Sequence, residues 1–332
     1  MLAARLHRPA PIDDRPLDHE TVDDPVPAPG ELLLDVHACA VCRTDLQIVE
    51  GDLPPKSLPI IPGHQVVGRV ASLGAGVEDW SAGDAAGVAW LGGACGHCDY
   101  CNTGLENLCE AGTYTGWDRD GGFASRMTAR ADFALPLPAG ADPVTFAPLL
   151  CGGVIGYRSL KVSGIQPGQR LGLYGFGASA RLAIQVAVHW GCQVYVATRS
   201  TAEQERAREL GAAWAGSYDD QVPVSLHAAV TFAPAGDVVI TALRALAPGG
   251  AVAINAIHLD RIPEFNYDWL WRERSLKSVA NFTRADAREF LQLAAAIPVK
   301  TDPLSMPLFE ANAAILGVKN GTLPGTAVLL PS

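Results

Sequence analysis

The chain has 332 residues, 48% of them hydrophobic and 18% charged, a composition that suits a folded protein of two domains and excludes a disordered one. Its formal net charge of −10, with Lys and Arg scattered along the chain, argues against nucleic acid and anionic lipid as partners. No apolar run approaches the ~20 residues that span a bilayer, and Met1–His7 carries no charged stretch leading into an apolar core, so a cytoplasmic protein with no membrane partner is expected. Eight cysteines in such a chain point to metal ligands or buried thiols, not to disulfides.

Residues 1 to about 150 are rich in Pro, Gly and short β-type runs such as Leu32–Ala38 and Val66–Val70, and read as an irregular β domain. From about residue 165 the texture changes to strands alternating with helices, the pattern of a βαβ series and a parallel sheet. A strand over 169–174 ends at Gly175, and a helix running through Leu182, Val186 and Trp190 ends at Gly191. The strand Val194–Ala197 follows, then Ser200 with Glu203 as a capping box before a helix over 202–210 that Gly211 closes. Two further strands, near 228–232 and 251–254, flank a helix around 238–246.

Three motifs carry chemistry. Cys95, Cys98, Cys101 and Cys109 give C-x-x-C-x-x-C-x7-C, with Gly92, Gly93, Gly96 and Gly104 expected to let the backbone turn around a centre. Four thiolates so close together make the closed tetrahedral site of structural zinc, and the last spacing fits neither ferredoxin pattern. His97, between these cysteines, reads as a solvated loop residue. Cys42, His64 and Cys151 are a second set: two thiolates and one imidazole leave a tetrahedral position open, as a catalytic zinc requires, although each residue taken alone is more often structural. Finally, Gly175-Phe176-Gly177-Ala178-Ser179-Ala180 follows a strand and opens a helix, which fits the dinucleotide-binding turn G-x-G-x-x-(G/A).

With G-H-x-x-x-G at Gly63–Gly68, the cysteine lobe at Cys95–Cys109 and the junction cysteine Cys151 in this order, the chain resembles the zinc-dependent alcohol dehydrogenases of the medium-chain dehydrogenase/reductase family over essentially its whole length. The resemblance implies an α/β fold with a GroES-like β domain over 1–151 and 286–332, a structural-zinc lobe over 92–110, and a Rossmann doubly wound parallel-sheet domain over 152–285. It implies Cys42, His64 and Cys151 as ligands of the catalytic zinc, Asp45 as the carboxylate holding His64, and Thr44 as the hydrogen-bond partner of the alcohol oxygen. Two zinc ions per chain follow, with a small-molecule alcohol, aldehyde or ketone as substrate and a homodimer or homotetramer as assembly. Arg43 and the Gly175–Ser179 turn would hold the cofactor pyrophosphate, while Ala256 and Ile257 match the segment lining the nicotinamide. Leu53, Trp90 and Trp117 are the pocket candidates. Cys39 and Cys192 are left as inert core thiols.

Several positions depart from the family pattern. Gln47 stands where many members carry the His that relays the alcohol proton, Gln65 replaces a Glu, and Pro324 replaces an Arg that binds pyrophosphate. At the end of the second Rossmann strand, where an NAD enzyme usually has a carboxylate, the chain has Thr198-Arg199-Ser200. Arg199 can pair with a 2′-phosphate, so the reading leans slightly to NADP(H) over NAD(H). The alternatives are a polyol-type zinc dehydrogenase, which commonly lacks the four-cysteine lobe, and a non-catalytic protein that kept the fold with an impaired proton relay.

Overall fold

The computed structural model describes residues 1–256, 259 and 261–331. It forms two compact units, Met1–Cys151 together with Phe282–Ser332, and Gly152–Asn281.

The first unit is built around the strand Glu31–Ala40, which pairs antiparallel with Val66–Leu73 along one edge. Its other edge is shared by Arg126–Arg130 and by the C-terminal strand Thr326–Leu330. The sheet runs Pro303–Pro307, Thr326–Leu330, Glu31–Ala40, Val66–Leu73, Ala85–Val88, Leu135–Pro136. Leu32, Leu34, Val36, Ala38 and Ala40 are buried, while Asp35 and His37 between them reach solvent, so the middle of the strand keeps an apolar–polar alternation and its ends are buried on both faces. Register shifts at Leu33/Leu34 and Val36/Ala38 bend it. The chain re-enters this unit at Phe282, ahead of residue 286, for a local reason. Thr283 and Asp286 close a capping box at the start of the helix Arg284–Ala296, and the Arg284 amide donates to Glu106 of the first unit at 2.8 Å, so the whole helix start is fixed there.

The second unit holds a six-stranded parallel sheet in the order Trp214–Gly216, Gln193–Ala197, Arg170–Tyr174, Leu226–Thr231, Leu246–Ile254, Ser275–Ser278. Numbered along the chain this is 3-2-1-4-5-6, the doubly wound Rossmann order, which reverses direction between Arg170–Tyr174 and Leu226–Thr231. Ligands in such sheets sit off the carboxyl ends of the strands at that reversal. Leu171, Leu173, Val194, Val196, Ala228, Val230, Val252 and Ala253 are all buried because helices cover both faces. The helix Ala178–His189 buries Leu182 and Val186 on the expected stripe and packs tightly: a Cβ at Gly156 would lie 2.9 Å from the Ser179 carbonyl. Only half of the expected capping box forms on the helix Thr201–Glu209. Ser200 Oγ accepts the Glu203 amide at 3.3 Å, while the Glu203 carboxylate turns to Thr198 Oγ1. Among the described residues no helix is long and apolar enough to cross a membrane.

Candidate active site

Cys42 is the N-cap of the helix Arg43–Glu50, and its sulfur accepts the Thr44 amide at 3.4 Å. Three residues on, Asp45 completes a capping box by accepting the Cys42 amide at 2.8 Å on Oδ2. Its other oxygen, Oδ1, accepts the Gly63 amide at 3.2 Å and faces His64 Nδ1 at 3.1 Å. One fully buried carboxylate therefore fixes two segments that stand 22 residues apart in sequence. An ionised carboxylate only accepts, so the Nδ1 proton is assigned toward Asp45 and the Nε2 lone pair is left facing Cys42 Sγ, 3.2 Å away.

The loop that delivers His64 depends on two glycines of the G-H-x-x-x-G motif. Gly63 has φ +98°, and a Cβ there would lie 2.5 Å from the Phe123 ring. A Cβ at Gly68 would lie 2.4 Å from the Asp35 carbonyl on the paired strand. Gln65 is buried and its Nε2 donates to the Ala40 carbonyl at 3.2 Å, a bond that the Glu usual at this position could not make when ionised.

Cys151, the last residue before the chain passes into the second unit, brings its sulfur to this pair: one donor atom each from Cys42, His64 and Cys151 lie within 4.8 Å of one another. The hydrogen bond from Cys151 holds the Cys42 thiol well below its ordinary pKa, while the same bond and burial push Cys151 up. A cation placed between the two sulfurs would favour the thiolate form of both. Burial opposes a charged His64, yet Asp45 and Cys42 outweigh it and raise its pKa. Two sulfurs and an oriented imidazole nitrogen, converging with no fourth protein donor among the described residues, fit a zinc with one open position.

Cys95, Cys98, Cys101 and Cys109 form the second convergent set, again within 4.8 Å. Backbone amides already point at sulfur: Cys95 N donates to Cys109 Sγ at 3.4 Å, and amides of His97 and Cys98 hold the Cys95 thiol down to about 6. Desolvation pushes Cys101 up to about 12. Gly96 and Gly104 take the left-handed turns (φ +79° and +74°), whereas Gly92 and Gly93 serve packing and not turning, since Cβ atoms there would meet the Thr115 and Thr113 hydroxyls at 2.8 and 2.4 Å. His97 is exposed and its Nδ1 lies 2.9 Å from the Cys95 carbonyl. Buried Glu106 ties the lobe to Arg284. A third group, His7, Asp18 and Glu20, lies at the surface of the N-terminal hairpin, with His7 and Asp18 exposed and Glu20 half-buried, and is already engaged, Glu20 being bonded to both His7 and Arg5.

Beside His64 stands an aromatic wall. The Trp90 ring meets the imidazole edge-on at 5.1 Å and stacks with Tyr114 at 5.1 Å and Trp117 at 6.1 Å. Trp117 Nε1 donates to the Pro54 carbonyl, and Lys56 Nζ lies 4.6 Å from its ring centroid, so the segment carrying Leu53 is held against the wall. Tyr114 was not singled out in the sequence; its pairing opposite Leu91, next to Trp90, is what recruits it.

In the second unit Gly175 has φ +87°, and a Cβ there would lie 2.9 Å from the Ala233 amide. Gly177 caps the helix Ala178–His189 with no side-chain bond, and nothing lies within 4 Å of where its Cβ would be. A free helix N-terminus above open space fits a pyrophosphate. Phe176 is buried, Gly177 and Ala178 are exposed, and Ser179 is half-buried. Thr198 is buried and Arg199 exposed at the end of the next strand. Ala256 is half-buried, and Ile257 lies outside the described residues. In the first unit Arg43 is exposed, Thr44 and Gln47 half-buried. Burial raises the pKa of the Cys39 and Cys192 thiols, as suits core residues.

Residues 28–139 match the alcohol dehydrogenase GroES-like domain and residues 180–296 the zinc-binding dehydrogenase domain. A probable alcohol dehydrogenase, AdhA, of Mycobacterium tuberculosis (strain CDC 1551 / Oshkosh) is 48% identical over 99% of this chain and 97% of its own length. The chain belongs to the zinc-type alcohol dehydrogenases of the medium-chain dehydrogenase/reductase family. Two solved structures share this alcohol dehydrogenase's fold at 25% identity. A cobalt- and zinc-bound thermostable alcohol dehydrogenase from Pyrobaculum aerophilum superposes with a TM-score of 0.88, covering 100% of this chain and 99% of the other. A zinc-binding dehydrogenase from Sinorhizobium meliloti 1021 bound to NADP gives 0.86, covering 99% of each. Zinc, a nicotinamide cofactor and a small-molecule substrate are the working parts of this alcohol dehydrogenase.

Proposed function

We propose that this alcohol dehydrogenase interconverts a small-molecule alcohol and its aldehyde or ketone at Cys42, His64 and Cys151, with a second, structural zinc at Cys95, Cys98, Cys101 and Cys109. The observation that carries the reading is Asp45, whose buried carboxylate fixes the Cys42 cap and the His64 imidazole at once. Zinc at the first set supplies Lewis-acid polarisation of the substrate oxygen, and the nicotinamide gives or takes the hydride. Asp45 keeps the His64 Nε2 lone pair aimed inward. Thr44, one helix position past Arg43, offers its hydroxyl to the substrate oxygen, and Leu53, Trp90 and Trp117 wall the pocket. Arg43 and the Gly175–Ser179 turn hold the pyrophosphate, Ala256 lies toward the nicotinamide, and Arg199 favours NADP(H) slightly. Family likeness favours a homodimer or homotetramer as the assembly, and the cytoplasm is the expected compartment.

Gln47 carries no ionisable group, so the substrate proton travels through the Thr44 hydroxyl to water. The test is absorbance in the reduced-nicotinamide band with purified protein, cofactor and a panel of simple alcohols, aldehydes and ketones. Turnover in both directions is expected; no turnover with any of them would overturn the reading. In the same assay Gln47→His should speed alcohol oxidation near neutral pH, by up to the ~10²–10⁴-fold that positioned acid–base groups supply, with Gln47→Ala as control. A Gln47→His variant with no faster rate and no new titration between about pH 6 and 8 would remove Gln47 from the proton path.

A further inference from the structure

The end of the second Rossmann strand looks devoid of acid in the sequence, as Ala197-Thr198-Arg199-Ser200, yet a carboxylate stands there. Glu203, in the first turn of the helix Thr201–Glu209, sends Oε2 back to Thr198 Oγ1 at 2.5 Å instead of closing the capping box on Ser200. Thr198 is itself rigid: its amide donates to the Gly216 carbonyl, its carbonyl accepts Gln204 Nε2 at 2.9 Å, and it is 3% exposed. The bond between them therefore fixes where the charge sits.

That place is the cofactor end of the sheet. The Gly175 amide, at the start of the glycine turn, donates to the Ala197 carbonyl at 2.8 Å, so Thr198 stands beside the turn, where an adenine ribose follows its pyrophosphate. We propose that Glu203 is a specificity-determining residue of the cofactor site, opposing a ribose 2′-phosphate and setting the balance between NADP(H) and NAD(H) against Arg199. The inference rests on the proposed cofactor site of this dehydrogenase and deepens it.

Two features give the pair its effect. The Glu203 carboxylate is bonded to the Thr198 hydroxyl, and among the described residues it shares no ion pair with Arg199. Both nevertheless act on the same neighbour, Tyr218, whose pKa is raised first by burial, then drawn down by Arg199 and pushed up by Glu203. A 2′-phosphate at this strand end meets an attractive guanidinium and a repulsive carboxylate together, while a 2′-hydroxyl can donate to the carboxylate. A weak NADP(H) preference is the result of that opposition.

The test is fluorescence titration of the zinc-loaded enzyme with NADH and with NADPH, for wild type, Glu203→Gln, Glu203→Asp and Arg199→Ala. Glu203→Gln keeps a hydrogen-bond acceptor for Thr198 and removes the charge. It should tighten NADPH about tenfold relative to NADH, the size of one screened like-charge repulsion, while Glu203→Asp should stay near the wild-type ratio. A Glu203→Gln ratio within twofold of wild type, or an equal change in both affinities, overturns the proposal. Arg199→Ala separates it from the NADP(H) reading: an unchanged ratio in that variant, with a wild type that favours NADH, sinks the reading while the Glu203→Gln outcome still stands or falls by itself.

Discussion

The two donor clusters of the first unit both draw on cysteine sulfur and are built in opposite ways. Cys95, Cys98, Cys101 and Cys109 come from one loop, with short turns and amide-to-sulfur bonds that need little of the surrounding fold. Cys42, His64 and Cys151 come from a helix cap, a strand entry and a unit boundary, and they meet only because a buried carboxylate and a seven-stranded sheet hold those segments together. The local set closes around its centre with four sulfurs. The long-range set has three donors and leaves room for a substrate atom, so in the proposed function it carries the chemistry and the other carries shape.

Breaking one sulfur in each set should separate those duties most sharply. Cys151→Ser is expected to lower turnover by about 10³-fold or more, the scale of losing several kcal/mol of charge stabilisation, with melting close to wild type. Cys98→Ser should do the reverse, lowering the melting temperature by roughly 5–10 °C while each folded molecule keeps near-normal activity. Activity and calorimetric scans on the same preparations check both. Equal behaviour of the two variants would erase the distinction.

A smaller effect sharpens the long-range side. Asp45→Asn keeps shape but cannot accept three N–H groups as a carboxylate does, so metal retention at Cys42, His64 and Cys151 should weaken by about 10–100-fold. Competition with a chromogenic chelator measures this, and the four-cysteine set should be untouched. Retention equal to wild type would show that the capping box alone orients His64.

The smallest expected effect lies on the surface of the same unit. Lys319 bridges Asp13 at 2.7 Å and Glu50 at 3.0 Å, tying the helix Ala311–Asn320 to the N-terminal region. The Lys319 hydrogen bond lowers Asp13, and the Ile12 amide bond, with Lys319, lowers Glu50. A depressed folded pKa gives stability that is fully present above the unfolded carboxylate range and lost as pH falls through the lower folded value. Lys319 is raised, so its share is fully present below its unfolded pKa and lost as pH rises through the higher folded value. Melting of Lys319→Met should therefore fall slightly below wild type near neutral pH and converge with it only at about pH 2, below the depressed carboxylates, and again as pH rises past the raised lysine. A difference that persists at about pH 2 would mean packing, not charge, is responsible.

What the sequence made legible was local. Cysteine spacing and the Gly175–Gly177 turn are set by neighbouring residues, and glycine requirements such as φ +87° at Gly175 are visible as residue types. Apart from Cys42, His64, Cys151 and Asp45, which the family motifs bring together, pairings across long stretches of chain were not legible. That Thr326–Leu330 seals the edge of Glu31–Ala40, that Tyr114 joins Trp90 and Trp117, and that Phe282 rather than 286 marks the return all depend on tertiary contacts. The Ser200–Glu203 motif shows the limit best, because its spacing fits a capping box and the choice of Thr198 over the Ser200 amide is made by the strand end beside it.

Zinc content per chain, measured by elemental analysis on wild type and Cys151→Ser prepared side by side, tests the division of labour most directly. The account predicts a value near two for wild type and near one for a folded, inactive Cys151→Ser. A wild-type value near one, or a Cys151→Ser protein that keeps two zinc ions and normal turnover, would contradict it.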